Sequence, residues 1–412
     1  MKANKPELLA PAGDLEKLTI AINYGADAVY MGGHSLGLRA KSKNFDFTEM
    51  QKAVEYTHSC NKKVYVTANI FAHNEDFEGM ADYFVELEKI GIDAVLVADP
   101  GIFSVVREVT PNLEVHISTQ ANNTNYKSVL FWKNLGAKRV VLARELSLKE
   151  ITQIRENIPN DYEIEAFIHG AMCISYSGRC LLSNYLSGRS ANKGECSHPC
   201  RWSYTLMEEK RPNEHFPVYE DERGTYIFNS KDLCMINNIP DLVSAGIDSL
   251  KIEGRMKTSY YVGTVVKAYR EAIDDYFEDI NLYKSKKDYY IEEIKKASHR
   301  NFTTGFYYGK PTQEEQVYSS SSYIRSHDFV GMVLDYNKET KMAKIEQRNK
   351  FSVGDDVEIF RKRGKGFHQT ITEMYDEYDN KLEAAPHPQQ ILMLKMEDEV
   401  SKYDMIRKCS RR

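Results

Sequence analysis

Short, apolar, β-rich runs alternate with longer stretches of helical periodicity through the first two thirds of the chain. The runs are Glu7–Ala10, Ala28–Met31, Val64–Ala68, Ala94–Ala98, Glu114–Ser118, Arg139–Ala143, Ile164–Ile168 and Ser249–Ile252, each of strand length. Between them, Leu15–Tyr24, Phe47–Ser59, Phe77–Ile90, Tyr126–Leu135 and Leu148–Asn157 carry the three-to-four-residue apolar spacing of an amphipathic helix. Several of these helical stretches run into glycine and then the next apolar run, at Gly25-Ala26-Asp27, Gly91-Ile92-Asp93, Gly136-Ala137-Lys138 and Gly246-Ile247-Asp248. Glycine there supplies the left-handed residue that ends a helix.

Eight strands in this rhythm predict an α/β fold, a (β/α)8 TIM-like barrel. An open doubly wound sheet is the competing reading. It is disfavoured because the first βα turn, Pro11-Ala12-Gly13-Asp14, lacks the Gly-x-Gly-x-x-Gly fingerprint. A barrel directs the residues just past its strands to the active-site mouth. Those positions read Gly32–His34, Asn69, Asp99, Gln120, Arg144–Glu145, His169 and Glu253–Arg255.

The rhythm breaks once, over the residues 169–248 that separate the seventh and eighth strands, far more than an ordinary connection needs. The pattern thus divides the chain into a barrel over 1–280 with an insertion at 170–230, a helical and Ser-rich connector over 281–325, and a C-terminal domain over 326–412. In the last part Val330–Leu334, Met342–Gln347, Asp356–Arg361, Gln369–Glu373 and Ile391–Leu394 are short and alternating, which predicts a small all-β barrel.

The composition is that of an ordinary globular protein, 42% hydrophobic and 28% charged. No apolar stretch approaches the roughly 20 residues of a membrane span, and the N-terminus has no apolar targeting core, so a cytoplasmic protein without a membrane partner is expected. A net charge of −5 supplies no global attraction for a polyanion. No DNA partner is expected, and any RNA contact has to be local.

Within the insertion, Cys173, Cys180, Cys196 and Cys200 are interleaved with Gly170, Gly178, Gly188 and Gly194, while the rest of the chain holds only three cysteines. In a reducing compartment, four clustered thiols point to metal rather than to disulfides. Their spacings are C-x6-C and C-x3-C, of which only the second resembles a zinc knuckle; from the residues alone, zinc and iron–sulfur are equally good readings. Cys60 and Cys409 are assigned no role. Arg179, Arg189, Lys193 and Arg201 make the cysteine segment basic, Trp202 and Tyr204 add aromatic surface, and Arg361-Lys362-Arg363-Gly-Lys-Gly forms a second basic tip. Such runs are solvated turns or a local grip on RNA. Glu253 and Arg255 fit either a structural ion pair or contact with substrate at the mouth, and His169 and His198 have no visible nucleophile partner. No His-Glu-x-x-His, Gly-x-Ser-x-Gly or phosphate-loop motif occurs.

The segment Glu165-Ala-Phe-Ile-His-Gly-Ala-Met-Cys-Ile-Ser-Tyr-Ser-Gly-Arg-Cys-Leu-Leu-Ser183 resembles the signature of the collagenase-like peptidase family, peptidase family U32. Leu9-Ala-Pro-Ala-Gly13, Gly25-Ala-Asp-Ala-Val-Tyr30, Gly194-Glu-Cys-Ser-His-Pro-Cys-Arg-Trp202, Asn229-Ser-Lys-Asp-Leu233 and Lys251-Ile-Glu-Gly-Arg255 add to the resemblance. The family's name implies proteolysis. Its better-understood branches resemble hydroxylation factors for RNA and for quinones, and the length and appended domain here look most like the branch required for 5-hydroxyuridine in tRNA, which uses prephenate.

That resemblance implies a [4Fe–4S] cluster on Cys173, Cys180, Cys196 and Cys200, with Cys234 as reserve ligand because one quinone-branch subunit takes a ligand from that region. It further implies a catalytic role at the mouth for Glu253, Arg255 and His169, tRNA as partner, and a homologous partner subunit as in the heterodimeric quinone branch. The alternatives are a peptidase, as the name says, or a non-catalytic subunit.

Overall fold

The structure is a computed structural model of the 412-residue chain. It describes residues 4–33, 44–172, 176, 180–189, 192, 196–197, 199, 205–206, 216–217, 231–309 and 323–410. Strand β1 (Glu7–Pro11) is followed by α1 (Leu15–Asn23), β2 (Ala28–Gly32), α2 (Phe47–Ser59), β3 (Lys63–Ala68), α3 (Met80–Ile90), β4 (Ala94–Val97), α4 (Pro100–Val109), β5 (Glu114–Ile117), α5 (Tyr126–Asn134), β6 (Arg139–Val141), α6 (Leu148–Glu156) and β7 (Glu163–Ala171). The insertion contributes α7 (Leu182–Ser187), β8 (Thr205–Leu206), β9 (Phe216–Pro217) and β10 (Asp232–Cys234). The barrel resumes with α8 (Ile239–Ser244), β11 (Ser249–Ile252) and α9 (Ser259–Glu278).

Strands β1 to β7 pair in order and in parallel, and β11 pairs in parallel with both β1 and β7, closing the eight-stranded barrel. Helix starts are fixed by side chains that satisfy the first free amides. Asp14 accepts from Lys17, and Asp46 and Ser147 form capping boxes with Glu49 and Glu150. Gly25, Gly91, Gly136 and Gly246 all adopt positive φ, between 77° and 111°, as the helix–glycine–strand pattern required. Asp99, one of the expected mouth residues, spends its carboxylate on Gly101 and Ile102 to cap α4.

Two features depart from the sequence reading. Strand β7 runs on to Ala171, and its extension pairs antiparallel with β10, Cys234 opposite His169. The 281–309 part of the expected connector belongs to the barrel body. Helices α10 (Ile280–Ser285) and α11 (Lys287–Lys296) bury Tyr283, Tyr290 and Ile294, and β12 (Phe302–Thr303) pairs with β10. The serines at 319–322 lie outside the described residues.

The C-terminal domain holds β13 (His327–Asn337), β14 (Met342–Gln347), β15 (Phe351–Ser352), β16 (Asp356–Phe360), β17 (Phe367–Thr370), β18 (Met374–Tyr375), β19 (Ala384–Ala385), β20 (Ile391–Lys395) and β21 (Met405–Cys409). Seven of these form an antiparallel sheet in the order β17-β16-β21-β13-β14-β20-β18, with no pairing between its two edges. It is a half-barrel with its own apolar core around Val333, Ile345, Ile359 and Leu394. Its last strand, β21, sits in the middle of the sheet, so Cys409 ends a paired strand and not a loose tail.

This domain lies along α1, α9 and α11. Arg348 pairs with Glu16 at 2.8 Å near the start of α1, and Tyr260 stacks on Phe329 near the start of α9. At the other end of α1, Tyr24 stacks on Phe360 and donates to the carbonyls of Phe360 and Tyr403. Between them Arg407, fully buried, bridges Glu293 of α11 and Glu358 of β16 at 2.7 and 2.6 Å.

Candidate site at the barrel mouth

The barrel interior is built in layers, and the lowest is charged. Arg139 opens β6 and reaches Glu7 at 2.6 Å, Glu163 at 2.7 Å and Glu165 at 3.1 Å. Lys251 holds the other oxygen of Glu165 at 2.7 Å, and Glu7 also accepts from Tyr65 and Ser249. Burial alone would raise the Glu165 pKa. The Lys251 and Arg139 charges outweigh it, so Glu165 stays ionised below the usual carboxylate range. His116 lies beside this layer and is kept neutral by burial and by Arg139. Above it Phe167 is sandwiched, with the Lys251 ammonium 5.3 Å from its centroid and the Arg144 guanidinium 3.8 Å away.

Arg144 follows β6 and donates to the carbonyl of Ala171 at 2.7 Å. From it an arc of polar side chains runs back across the strand ends. Asn123 forms a parallel bridge with Leu142, and its carbonyl accepts from Ala143. Gln120 lies in the turn after β5, capped by Ser118. Ser118 Oγ in turn accepts from Asn69, just past β3, at 3.0 Å. Glu145, beside Arg144, has its carboxyl pKa raised by burial. Asn69, Gln120 and the Arg144–Glu145 pair stood among the expected mouth positions. Asn123 did not, because it sits three residues into a turn whose length only the fold defines.

Next to the Asn69 end of this arc, Arg255 is buried and donates to Thr67 of β3 at 2.8 Å and to Asn44 at 3.1 Å. Its guanidinium lies directly over Gly32, where any Cβ would overlap it. Glu253 leaves β11 beside the end of β7, its amide donating to the His169 carbonyl at 2.9 Å. Gly170 has φ +110° and is packed so closely on Glu253 that a side chain would collide with it. Glu253 therefore flanks the stretch that leads into the cysteine segment.

His169 is differently placed. A bulge between β7 and β11 pairs it with Ile252, one position beyond inward-facing Lys251. Its ring lies against Tyr261 and Tyr269 of α9 and against Phe302. Burial, with help from Lys257 and His299, lowers its pKa to about 3. The imidazole is thus neutral and enclosed by aromatic rings, a supporting position between strand and helix.

Of the expected cluster ligands, Cys180 and Cys196 are half-buried, while Cys173 and Cys200 lie outside the described residues. The two described cysteines are brought into one neighbourhood by Ser183. Its Oγ accepts from the amide of Ser197, next to Cys196, at 2.9 Å, and it meets Ser197 Oγ at 3.1 Å. Four thiols from one segment, two of them on stretches that Ser183 and Ser197 join beyond β7, are a donor set suited to an iron–sulfur or zinc centre. Cys234 is buried in the barrel wall, with Tyr269 Oη 3.9 Å from its sulfur, and burial pushes its thiol up to about 11.

Of the basic residues, Arg189 is exposed just past α7, and Arg179, Lys193 and Arg201 lie outside the described residues. The tip at Arg361, Lys362 and Arg363 packs at the middle of α9, where Lys267 donates to the carbonyls of Arg361 and Gly364. It lies towards the end of the barrel opposite the mouth, next to Phe360 on Tyr24. Arg361 pairs with Asp398 at 2.8 Å, and Arg363 is exposed.

No helix among the described residues is long and apolar enough to cross a membrane. The model of peptidase family U32 matches residues 13–317, and that of the peptidase family U32 C-terminal domain matches residues 325–407. Over 404 residues the chain is 46% identical to tRNA hydroxylation protein P1 of Bacillus subtilis, covering 98% of this chain and 95% of that one. It is 37% identical to tRNA hydroxylation protein P of Escherichia coli, covering 87% of each. It is also 33% identical to a collagenase of Porphyromonas gingivalis, again over 87% of each. With its barrel, its cysteine-bearing insertion and its appended half-barrel all accounted for, this chain belongs to peptidase family U32.

Proposed function

We propose that this protein is a tRNA-modification enzyme that converts a wobble uridine to 5-hydroxyuridine, with prephenate as co-substrate. The observation that carries the reading is the likeness, across nearly the whole chain, to a relative named as a tRNA hydroxylation protein, joined to a cysteine segment that opens at the barrel mouth. Cys173, Cys180, Cys196 and Cys200 would hold a [4Fe–4S] cluster there, which supplies electron transfer when bound.

The chain's own residues bind and orient. Arg255 is a fixed cation, held by Thr67 and Asn44, suited to a carboxylate-bearing co-substrate. Arg144, stacked on Phe167, adds a second cation across the mouth. Glu253 lies between the cluster segment and Arg255 in sequence and packs on Gly170 at the end of β7. Arg179, Arg189, Lys193 and Arg201 would meet the RNA backbone around the entrance, and Arg361, Lys362 and Arg363 would contact a more distant part of the tRNA.

The peptidase reading is supported by the names of two relatives, the collagenase and an uncharacterized protease of Methanocaldococcus jannaschii. It needs an activated nucleophile. Among the described residues, serine- or cysteine-to-histidine contacts are those of His327 with Ser326 and Cys409, on the C-terminal domain rather than at the mouth.

Nucleoside analysis of tRNA from a deletion strain tests the proposal. 5-Hydroxyuridine and its derivatives should disappear and return with the wild-type gene, but not with Cys180→Ser or Cys196→Ser. An unchanged nucleoside profile would sink the function. Anaerobically purified protein that is colourless and holds zinc alone would remove the cluster.

A further inference from the structure

Three side-chain amides at the mouth carry buried polar atoms with no hydrogen-bond partner among the described residues. They are Asn69 Oδ1, Gln120 Oε1 and both polar atoms of Asn123, and the buried Nε of Arg144 joins them. Gln120 and Asn123 are 3% and 1% exposed. A buried polar atom without a partner costs about 1–3 kcal/mol. Other buried atoms, such as Thr57 Oγ1 and Tyr162 Oη, share that state, but here five of them fall on one arc. We infer that Asn69, Gln120 and Asn123, with Arg144 beside them, form a subsite that reads the hydrogen-bonding edge of a uracil base. The inference rests on the proposed activity towards tRNA.

Contacts already described place the four on one arc. Asn69 donates to Ser118, Ser118 caps the turn that holds Gln120, and that turn ends at Asn123. Asn123 bridges to β6, from which Arg144 follows. The chemistry of the set selects the ligand. An anion would call for several N–H donors from arginine, lysine or backbone. Three amides and one guanidinium N–H instead suit a neutral partner that presents donors and acceptors side by side.

The edge of uracil offers two carbonyl oxygens flanking one ring N–H. Asn123 lies between Gln120 and Arg144 on the arc, and its unpartnered Oδ1 can accept that ring N–H. The Gln120 side-chain N–H on one side and Arg144 Nε on the other can donate to the flanking carbonyls. Cytosine replaces the ring N–H by an acceptor and one carbonyl by an amine, so it would set acceptor against acceptor. A base splayed from a single-stranded loop presents this edge freely, as recognition by side chains requires.

The test is binding of the full-length protein to anticodon stem-loop RNAs with uridine, cytidine or an abasic site at the wobble position, read by fluorescence anisotropy. Wild type should prefer the uridine loop over the cytidine loop roughly tenfold or more, because a site built on hydrogen bonds rejects a base that leaves them unpaired. Gln120→Leu and the near-isosteric Asn123→Leu should erase that preference and leave the abasic loop bound as before. Their thermal unfolding, measured alongside, shows that each variant is folded. A uridine preference that survives in both folded variants, or that wild type never shows, overturns the subsite. Wild type that binds none of the RNAs overturns the tRNA reading beneath it.

Discussion

The two ends of the barrel interior handle polar groups in opposite ways. At the closed end, Arg139, Lys251, Glu7, Glu163 and Glu165 are matched charge to charge at 2.6–3.1 Å, and tyrosine and serine hydroxyls take up remaining oxygens. At the mouth, Asn69, Gln120, Asn123 and Arg144 keep atoms that no protein group satisfies. Burial is comparable, so solvent access does not explain the contrast. Apart from the neutral ring of His116, whose nitrogens have no hydrogen-bond partner, the first region is finished by the fold, and the second is finished by what enters it. A paired interior serves stability; an unpaired one marks the place where binding energy is held in reserve.

Breaking the paired end should have the largest effect. Arg139→Met takes the cation from Glu7 and Glu163 and leaves fully buried Glu165 with Lys251 alone, and should cost about 3–5 kcal/mol in chemical unfolding. A variant as stable as wild type would show that the floor is not held by this network.

The next effect is at the domain junction. Arg407→Met should cost roughly 2 kcal/mol, less than Arg139 because Lys296 still pairs with Glu293 and Glu358. The pH dependence follows from Glu358. Burial would raise its pKa, but Arg407 and Lys296 hold it at about 2 against an ordinary 4.5. Its contribution is therefore complete above about 4.5 and is lost as pH falls towards 2. Calorimetry across that window should show the wild-type junction weakening with acid and Arg407→Met already weakened at neutral pH.

Gly32→Ala pushes a methyl group into the Arg255 guanidinium and should cost about 1–3 kcal/mol. Hydroxylation should fall more than stability, since the displaced cation faces the mouth. At the unpaired end Asn123→Leu removes two unpartnered polar atoms, so it should cost nothing and raise stability by about 1 kcal/mol. A loss as large as that of Arg139→Met would erase the contrast between the two ends. Smallest of all, Arg363→Ala should leave stability within about 0.5 kcal/mol and lower tRNA affinity only through a shallower salt dependence.

Much of this architecture was legible in one dimension. Apolar runs broken by helix-ending glycines gave all eight barrel strands, because a parallel strand covered by helices leaves a short and nearly uninterrupted apolar signature. The same reading passed over β21, since Met405-Ile-Arg-Lys-Cys409 carries two cations in its centre. Arg407 is nevertheless fully buried, and its partners Glu293 and Glu358 come from another helix and another strand. No local pattern can announce that pairing.

At the site, the cysteines and the strand-end set Asn69, Gln120, Arg144, Glu253 and Arg255 followed from motif and position. His169 shows the limit. Position alone sent it to the mouth, and a bulge one residue earlier turned it onto α9. Sequence determined the strand count, the place of the cysteine segment and the family, because these depend on periodicity and order along the chain. The tertiary structure alone decided which polar residues are paired and which are left for a ligand. Pairing depends on distances between residues far apart in sequence, and only the closed barrel sets those distances.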